Sequence, residues 1–164
     1  MSYWEKRKNL KYYKKVLEFA ETYGKGRTVL DIGGGQTEYI LDIENPEKFL
    51  VDVKPVKLEG VDTYTADFME WGEGLNIDLV TCLQVLEHVG DPSAFMKKIF
   101  SISKIAIISV PYKWPEGICG GHIWDPIDMD MFMGWAGREP IDVTIVKERI
   151  RERIVAVFKG DKHV

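Results

Sequence analysis

The chain has 164 residues, 45% of them hydrophobic, enough for one domain with a substantial core given the usual span of roughly 100 to 200 residues per domain. A net charge of −4 argues against broad electrostatic capture of nucleic acid, which needs an excess of Lys and Arg on one face. No apolar stretch approaches the roughly 20 residues of a membrane span, Met1 to Ala20 is too charged for a signal peptide, and Cys82 and Cys119 stand too far apart for a Cys-x-x-Cys site. A cytoplasmic protein with reduced thiols and no membrane association is expected.

Ser2 and Glu5 form an S-x-x-E capping box, and Leu10, Tyr13, Leu17 and Ala20 recur at helical spacing until Gly24 and Gly26, which predicts an opening helix. Its basic run, Lys6, Arg7, Lys8, Lys11, Lys14 and Lys15, reads as a solvated face. Thr28 to Leu30 predicts a buried strand that closes at Asp31 and turns at Gly33, Gly34 and Gly35, with a short helix up to about Asp42. Phe49 to Val51, closed by Asp52, and Asp62 to Thr65, before Asp67 and Phe68, predict two more strands.

Ile77 to Leu83 is the next strand, Asp91-Pro-Ser opens a helix carrying Phe95, Met96, Ile99 and Phe100 on one stripe, and Ile105 to Val110 reads as a central parallel strand. A Trp-, Gly- and Pro-rich segment follows to Pro140, with a helix expected over 126–135, and Ile141 to Val146 with Ile154 to Phe158 predicts an antiparallel pair at the sheet edge. The alternation indicates an α/β fold with an open, mostly parallel sheet, helices on both faces, and a ligand site beyond the carboxyl ends of the strands.

The acidic and glycine residues fall at those ends. Glycines after Asp31 let a backbone approach a ligand, but Glu38 stands where a dinucleotide fingerprint needs its third glycine. Asp52, about 20 residues on, is placed to accept ribose hydroxyls, and Asp67 with Phe68 to take the amine and face of a base. Taken singly, a strand-end Asp is a turn residue and Phe68 a core residue.

Val-Leu-Asp31-Ile-Gly33-Gly-Gly35, Phe-Leu-Val-Asp52, Asp67-Phe68 and Asp78-Leu-Val-Thr-Cys-Leu-Gln84-Val-Leu-Glu87-His88-Val, in this order over 28–112, resemble the motifs of class I S-adenosyl-L-methionine-dependent methyltransferases. The last stretch is similar to the L-E-H-V subgroup that contains the ubiquinone-biosynthesis O-methyltransferases. The resemblance implies a Rossmann-like methyltransferase fold and S-adenosyl-L-methionine as cofactor. It implies that Gly33, Gly34 and Gly35 face the methionine end, that Asp52 holds the ribose, that Asp67 and Phe68 hold adenine, that Leu83 and Gln84 lie near the methyl, and that Asp31 and Val53 belong to the same cofactor-binding set. The expected organisation is one domain over 1–164: an N-terminal helix (1–26), a cofactor-binding core (27–110), an acceptor loop (111–140) and terminal strands (141–164). Relative to family members the chain lacks material around Lys54 to Gly60 and an inserted lid, so either a large substrate or a second subunit, as in a homodimer, would close the site.

Within the loop, His122 is the first candidate for a general base, with His88 and Asp125 as fallbacks, because an imidazole titrates near neutrality. The plainer role for His122 is to satisfy a buried carbonyl, and for the tryptophans to cover the sheet. In relatives with Glu-x-x-Glu-His that motif binds a divalent metal. Here Gln84 replaces the first acid, which removes a charge from a hard-cation set, so no metal is expected and Glu87 and His88 are read as local hydrogen-bonding groups. The favoured function is O-methylation of a small molecule or sugar. The alternatives are an RNA or protein methyltransferase and a non-catalytic S-adenosylmethionine-binding module acting through a partner.

Overall fold

The computed structural model describes residues 1–163. Seven strands form one sheet: β1 (Thr28–Ile32), β2 (Glu47–Asp52), β3 (Asp62–Thr65), β4 (Ile77–Leu83), β5 (Ser103–Tyr112), β6 (Asp142–Glu148) and β7 (Arg151–Lys159). Their order is β3-β2-β1-β4-β5-β7-β6; β1 to β5 are parallel, and β7 runs antiparallel to both β5 and β6. The order reverses between β1 and β4, which is where an open parallel sheet leaves a crevice at its carboxyl edge.

Side chains alternate across the sheet and divide the core into two layers. Leu30, Ile32, Val80, Cys82, Ala106 and Ile108 pack under α2 (Pro92–Ile102) and α3 (Met129–Ala136), whereas Val29, Leu79, Ile105, Ile107, Val155 and Val157 pack under α1 (Lys11–Tyr23). Asp91 and Asp128 cap α2 and α3 by accepting from the amides of Ala94 and Met131.

The elements lie where the periodicity places them, with two differences. Ser2 and Glu5 do make their reciprocal bonds, but the box closes a turn: Arg7 and Lys8 amides both donate to the Trp4 carbonyl, Leu10 is extended, and the helix begins at Lys11. The second difference follows the glycine turn, where a single 3-10 turn over Tyr39–Asp42 replaces the expected helix. Tyr39 and Ile40 are already fully buried there, and Asn45 then ties the chain back by donating to the carbonyls of Gly24 and Thr28. Between β2 and β3 the connection contains no helix at all.

Candidate active site

At the carboxyl ends of β1, β2 and β4 the structure brings the predicted residues into one crevice. A cavity of about 950 Å³ is walled by Gly33, Gly35, Asp52, Val53, Asp67, Phe68 and Gln84, with His88 at its rim. Asp52 shapes this crevice from β2: one carboxylate oxygen accepts from the Gly35 amide at 3.0 Å and the other from the Lys54 amide at 2.8 Å. Asp67 is exposed and accepts from the Met69 amide. Phe68 is buried and packs on Phe95 at 5.0 Å between ring centroids, so it backs the cavity from within the core.

The glycine turn has to be glycine. Gly33 has φ of 70° and a Cβ there would sit 2.6 Å from Val85, while a Cβ on Gly34 would overlap the Asp31 carboxylate. Asp31 itself is buried beneath the turn. Its Oδ1 accepts from the Tyr39 hydroxyl at 2.5 Å and the Thr81 hydroxyl at 2.9 Å, whereas Oδ2 has no partner among the described residues. Burial pushes the Asp31 carboxyl up to about 6, with the two hydroxyls opposing the shift. Tyr39 and Thr81 were not predicted; Tyr39 is brought back by the turn after β1, and Thr81, far away in sequence, is brought alongside only by the sheet.

Gln84 follows β4 with φ of 59°, a left-handed conformation that costs a side-chain-bearing residue. It is held there by its amide donating to Ser109 Oγ and by its carbonyl accepting from Arg153 Nε. Arg153, on β7, is buried between the rings of Tyr12 and Trp114, and was not anticipated because it ends a charged run just ahead of the apolar stretch Ile154 to Phe158. Leu83 lines a second chamber of about 320 Å³, which shares Gly33, Gly35 and Gln84 with the first.

The segment after β5 folds back onto the loop that leaves β4. Ile123 amide donates to the Glu87 carbonyl, Trp124 Nε1 to the Val89 carbonyl, and Trp114 Nε1 to the Glu152 carbonyl, so two of its tryptophans act as staples. This brings His122 beside Glu87 and His88. His122 Nδ1 lies 2.6 Å from Asp125 Oδ2, with both side chains almost wholly buried, so the carboxylate fixes the orientation of the ring. His88, not His122, bonds a backbone carbonyl, that of Gly121 at 2.9 Å. His122 Nε2 lies 4.0 Å from Glu87 Oε1.

Glu87 is buried with Oε2 unpartnered among the described residues, and burial, with the nearby Asp125 charge adding, raises its carboxyl to about 8. Local hydrogen bonding therefore accounts for His88 but not for Glu87. Glu87, His88 and His122 each offer a donor atom within 4.8 Å of the others, a set of the type a divalent cation takes; Gln84 is turned away toward Ser109 and Arg153.

This sheet order, with a glycine turn after β1 and acids closing β1 and β2, is the framework of a methyltransferase. The chain matches the family model described as "Methyltransferase domain" over residues 3–142, and it belongs to that family. Among solved structures it is similar to the N-methyltransferase NodS from Bradyrhizobium japonicum WM9, crystallised with S-adenosyl-L-homocysteine, at TM-score 0.74 and 11% identity over 92% of this chain and 86% of that one. Magnesium protoporphyrin IX methyltransferase from Synechocystis PCC 6803 is similar at TM-score 0.64 and 16% identity over 90% and 80% of the two chains. The [4+2]-cyclase SpnF is also similar, at TM-score 0.72 and 14% identity over 92% and 80%. No curated protein matches the chain in sequence. The fold is the class I methyltransferase fold, and it serves varied substrates among these neighbours.

Proposed function

We propose that this chain transfers a methyl group from S-adenosyl-L-methionine to an oxygen of a small molecule or sugar. The observation that carries the cofactor reading is the crevice itself: a glycine turn that admits no side chain, with the Asp52 carboxylate alongside and a bare, buried Asp31 oxygen beneath. These residues fit the group. The glycines provide close approach, Asp52 the acceptors for ribose hydroxyls, Asp67 an acceptor at the adenine end, and Asp31 an acceptor for the ammonium. Two of the structural neighbours were crystallised with S-adenosyl-L-homocysteine, which supports the same reading.

The cofactor supplies an activated methyl on a sulfonium; the chain supplies position and a destination for a proton. In an in-line displacement the carbon–oxygen bond forms as the carbon–sulfur bond breaks, the electron pair remains on sulfur, and the hydroxyl proton leaves. Asp125 orients His122, and His122 Nε2 is the first candidate to receive that proton, with His88, which lines the cavity, as the nearer alternative. The acidic net charge and the Trp-rich loop support a small polar acceptor. Steep salt dependence of acceptor binding would instead favour RNA.

Calorimetric titration with S-adenosyl-L-methionine and S-adenosyl-L-homocysteine tests the reading. Binding is expected in wild type, at least tenfold weaker in Asp52→Ala, with none for NADH. A folded wild type that binds neither would overturn the reading. In a turnover assay on an accepted substrate, His122→Ala should lower kcat by roughly 10²-fold or more while leaving cofactor affinity within about twofold. Loss of cofactor affinity instead would make His122 structural.

A further inference from the structure

The sheet ends on β6, so one side of that strand carries backbone N–H and C=O groups with no strand beside them. Its side chains divide by parity. The even-numbered ones face α1, where Asp142 accepts from the Tyr23 hydroxyl at 2.8 Å and Val146 packs in the α1 layer. The odd-numbered ones lie on the opposite face, where Val143 and Ile145 have Ala156 and Ile154 as cross-strand partners. There Ile141, Val143 and Ile145 are 40%, 37% and 40% exposed, an apolar stripe along the outermost strand.

Edge strands are ordinarily kept from pairing by shortness, charge or proline. β3, at the other edge, has four residues and opens on the exposed Asp62. β6 has seven, with Pro140 ahead of it and Lys147 near its end, and no charge interrupts the stripe from Ile141 to Ile145.

This edge is complementary to itself. In an antiparallel pair, opposed residues share one face of the sheet. A two-fold axis through Val143 sets Val143 against its own symmetry mate, Ile141 against Ile145 and Glu139 against Lys147. Glu139 and Lys147 are exposed, and neither is ion-paired among the described residues. An axis through Ile145 would instead oppose Asp142 with Glu148 and Val143 with Lys147, and one through Thr144 would oppose Ile141 with Lys147. Of the three registers, the one centred on Val143 matches apolar with apolar and acid with base.

We propose that β6 is a homodimer interface, through which two copies of this chain pair edge to edge in the register centred on Val143. Because β7 is antiparallel to both β5 and β6, β6 runs parallel to β5, and its Glu148 end lies at the carboxyl edge of the sheet. The two-fold axis therefore sets the two crevices on opposite edges of the joined sheet, and the dimer leaves both of them open.

Sedimentation equilibrium of the full chain tests the proposal on wild type, Val143→Lys, Glu139→Lys, Lys147→Glu and the double reversal of Glu139 and Lys147. Wild type is expected to be dimeric at about 100 µM. Val143→Lys, which sets two ammonium groups together at the axis, should raise the dissociation constant by about a hundredfold or more. Each single reversal acts twice in the dimer and should weaken it by roughly five- to thirtyfold, and the double reversal should return it to within about threefold of wild type. Both charged positions are exposed, so these reversals probe the interface in a folded chain, as circular dichroism would verify. A wild type that stays monomeric would overturn the proposal and leave the edge to a strand of another protein. A dimer unmoved by Val143→Lys would overturn it by placing the contact elsewhere, and a double reversal that fails to recover would overturn the register and the proposal with it.

Discussion

Asp31 is bonded through one oxygen to Tyr39 and Thr81 while its other oxygen is bare, and burial raises its carboxyl from 3.8 to about 6. For an acid, a raised value in the fold means that its favourable contribution is present below its unfolded value and is lost as pH climbs through about 6. At pH 7 the apo protein therefore carries a cost of about 3 kcal/mol at this residue. Asp31→Asn is expected to melt no lower than wild type at pH 7 to 8, yet to bind S-adenosyl-L-methionine at least tenfold more weakly. Wild-type affinity should itself fall as pH drops below about 6, because the carboxylate proposed to receive the ammonium becomes protonated. A variant with unchanged affinity and pH profile would remove Asp31 from the site. The positions of Asp31, Asp52 and Asp67 at the sheet's carboxyl edge were legible because each lies at or just beyond a strand end, and the parallel sheet directs those ends to one edge. The burial of Arg7 Nε was not, because within a run of six cations nothing local distinguishes the one that turns inward.

At the level of elements, strand periodicity located β4 to the residue, whereas α1 was drawn too early because the Ser2–Glu5 box satisfies a turn as readily as a helix start. The opposite end of the sheet from the site depends on the first residue of the Asp78-to-Val89 motif, for which the sequence suggested no role. Asp78, near the start of β4, accepts from the amides of Arg27 and Thr28 at 2.7 and 3.0 Å and pairs with Lys104 on β5 at 2.6 Å, tying three neighbouring strands together. The Lys104 ammonium, followed by the two backbone amides, holds its carboxyl well below the ordinary carboxylate range. A depressed value stabilises the fold above the unfolded value near 4 and loses that contribution as pH falls further. Asp78→Asn should cost about 2 kcal/mol by urea denaturation at pH 7, with the gap from wild type narrowing below pH 4. A pH-independent gap would mean that packing, not the carboxylate charge, holds the three strands.

Across the molecule, the two halves of the sheet are unequally covered. The β4-β5-β7 side carries α1 on one face and α2 with α3 on the other, while the β1-β2-β3 side has only a 3-10 turn and loops in its connections. The proposed cofactor crevice lies along this thinner side, and its walls come from residues as distant as Tyr3 and Phe95. A ligand there would bridge the N-terminal turn, the β1 and β2 ends and α2, binding the folded chain and not the unfolded one. At about 100 times its dissociation constant, such a ligand adds about 2.7 kcal/mol to stability. For a protein of this length S-adenosyl-L-homocysteine should therefore raise the melting temperature by roughly 5 °C, and NADH should not. In hydrogen exchange, the added protection should appear in the glycine turn and residues 2–10 before the amides of β5, which are already buried on both faces. If the protection spread evenly over the sheet, the ligand would be stabilising the global fold without ordering the thin side. A shift confined to β6 and β7 would place the ligand away from the glycine turn altogether.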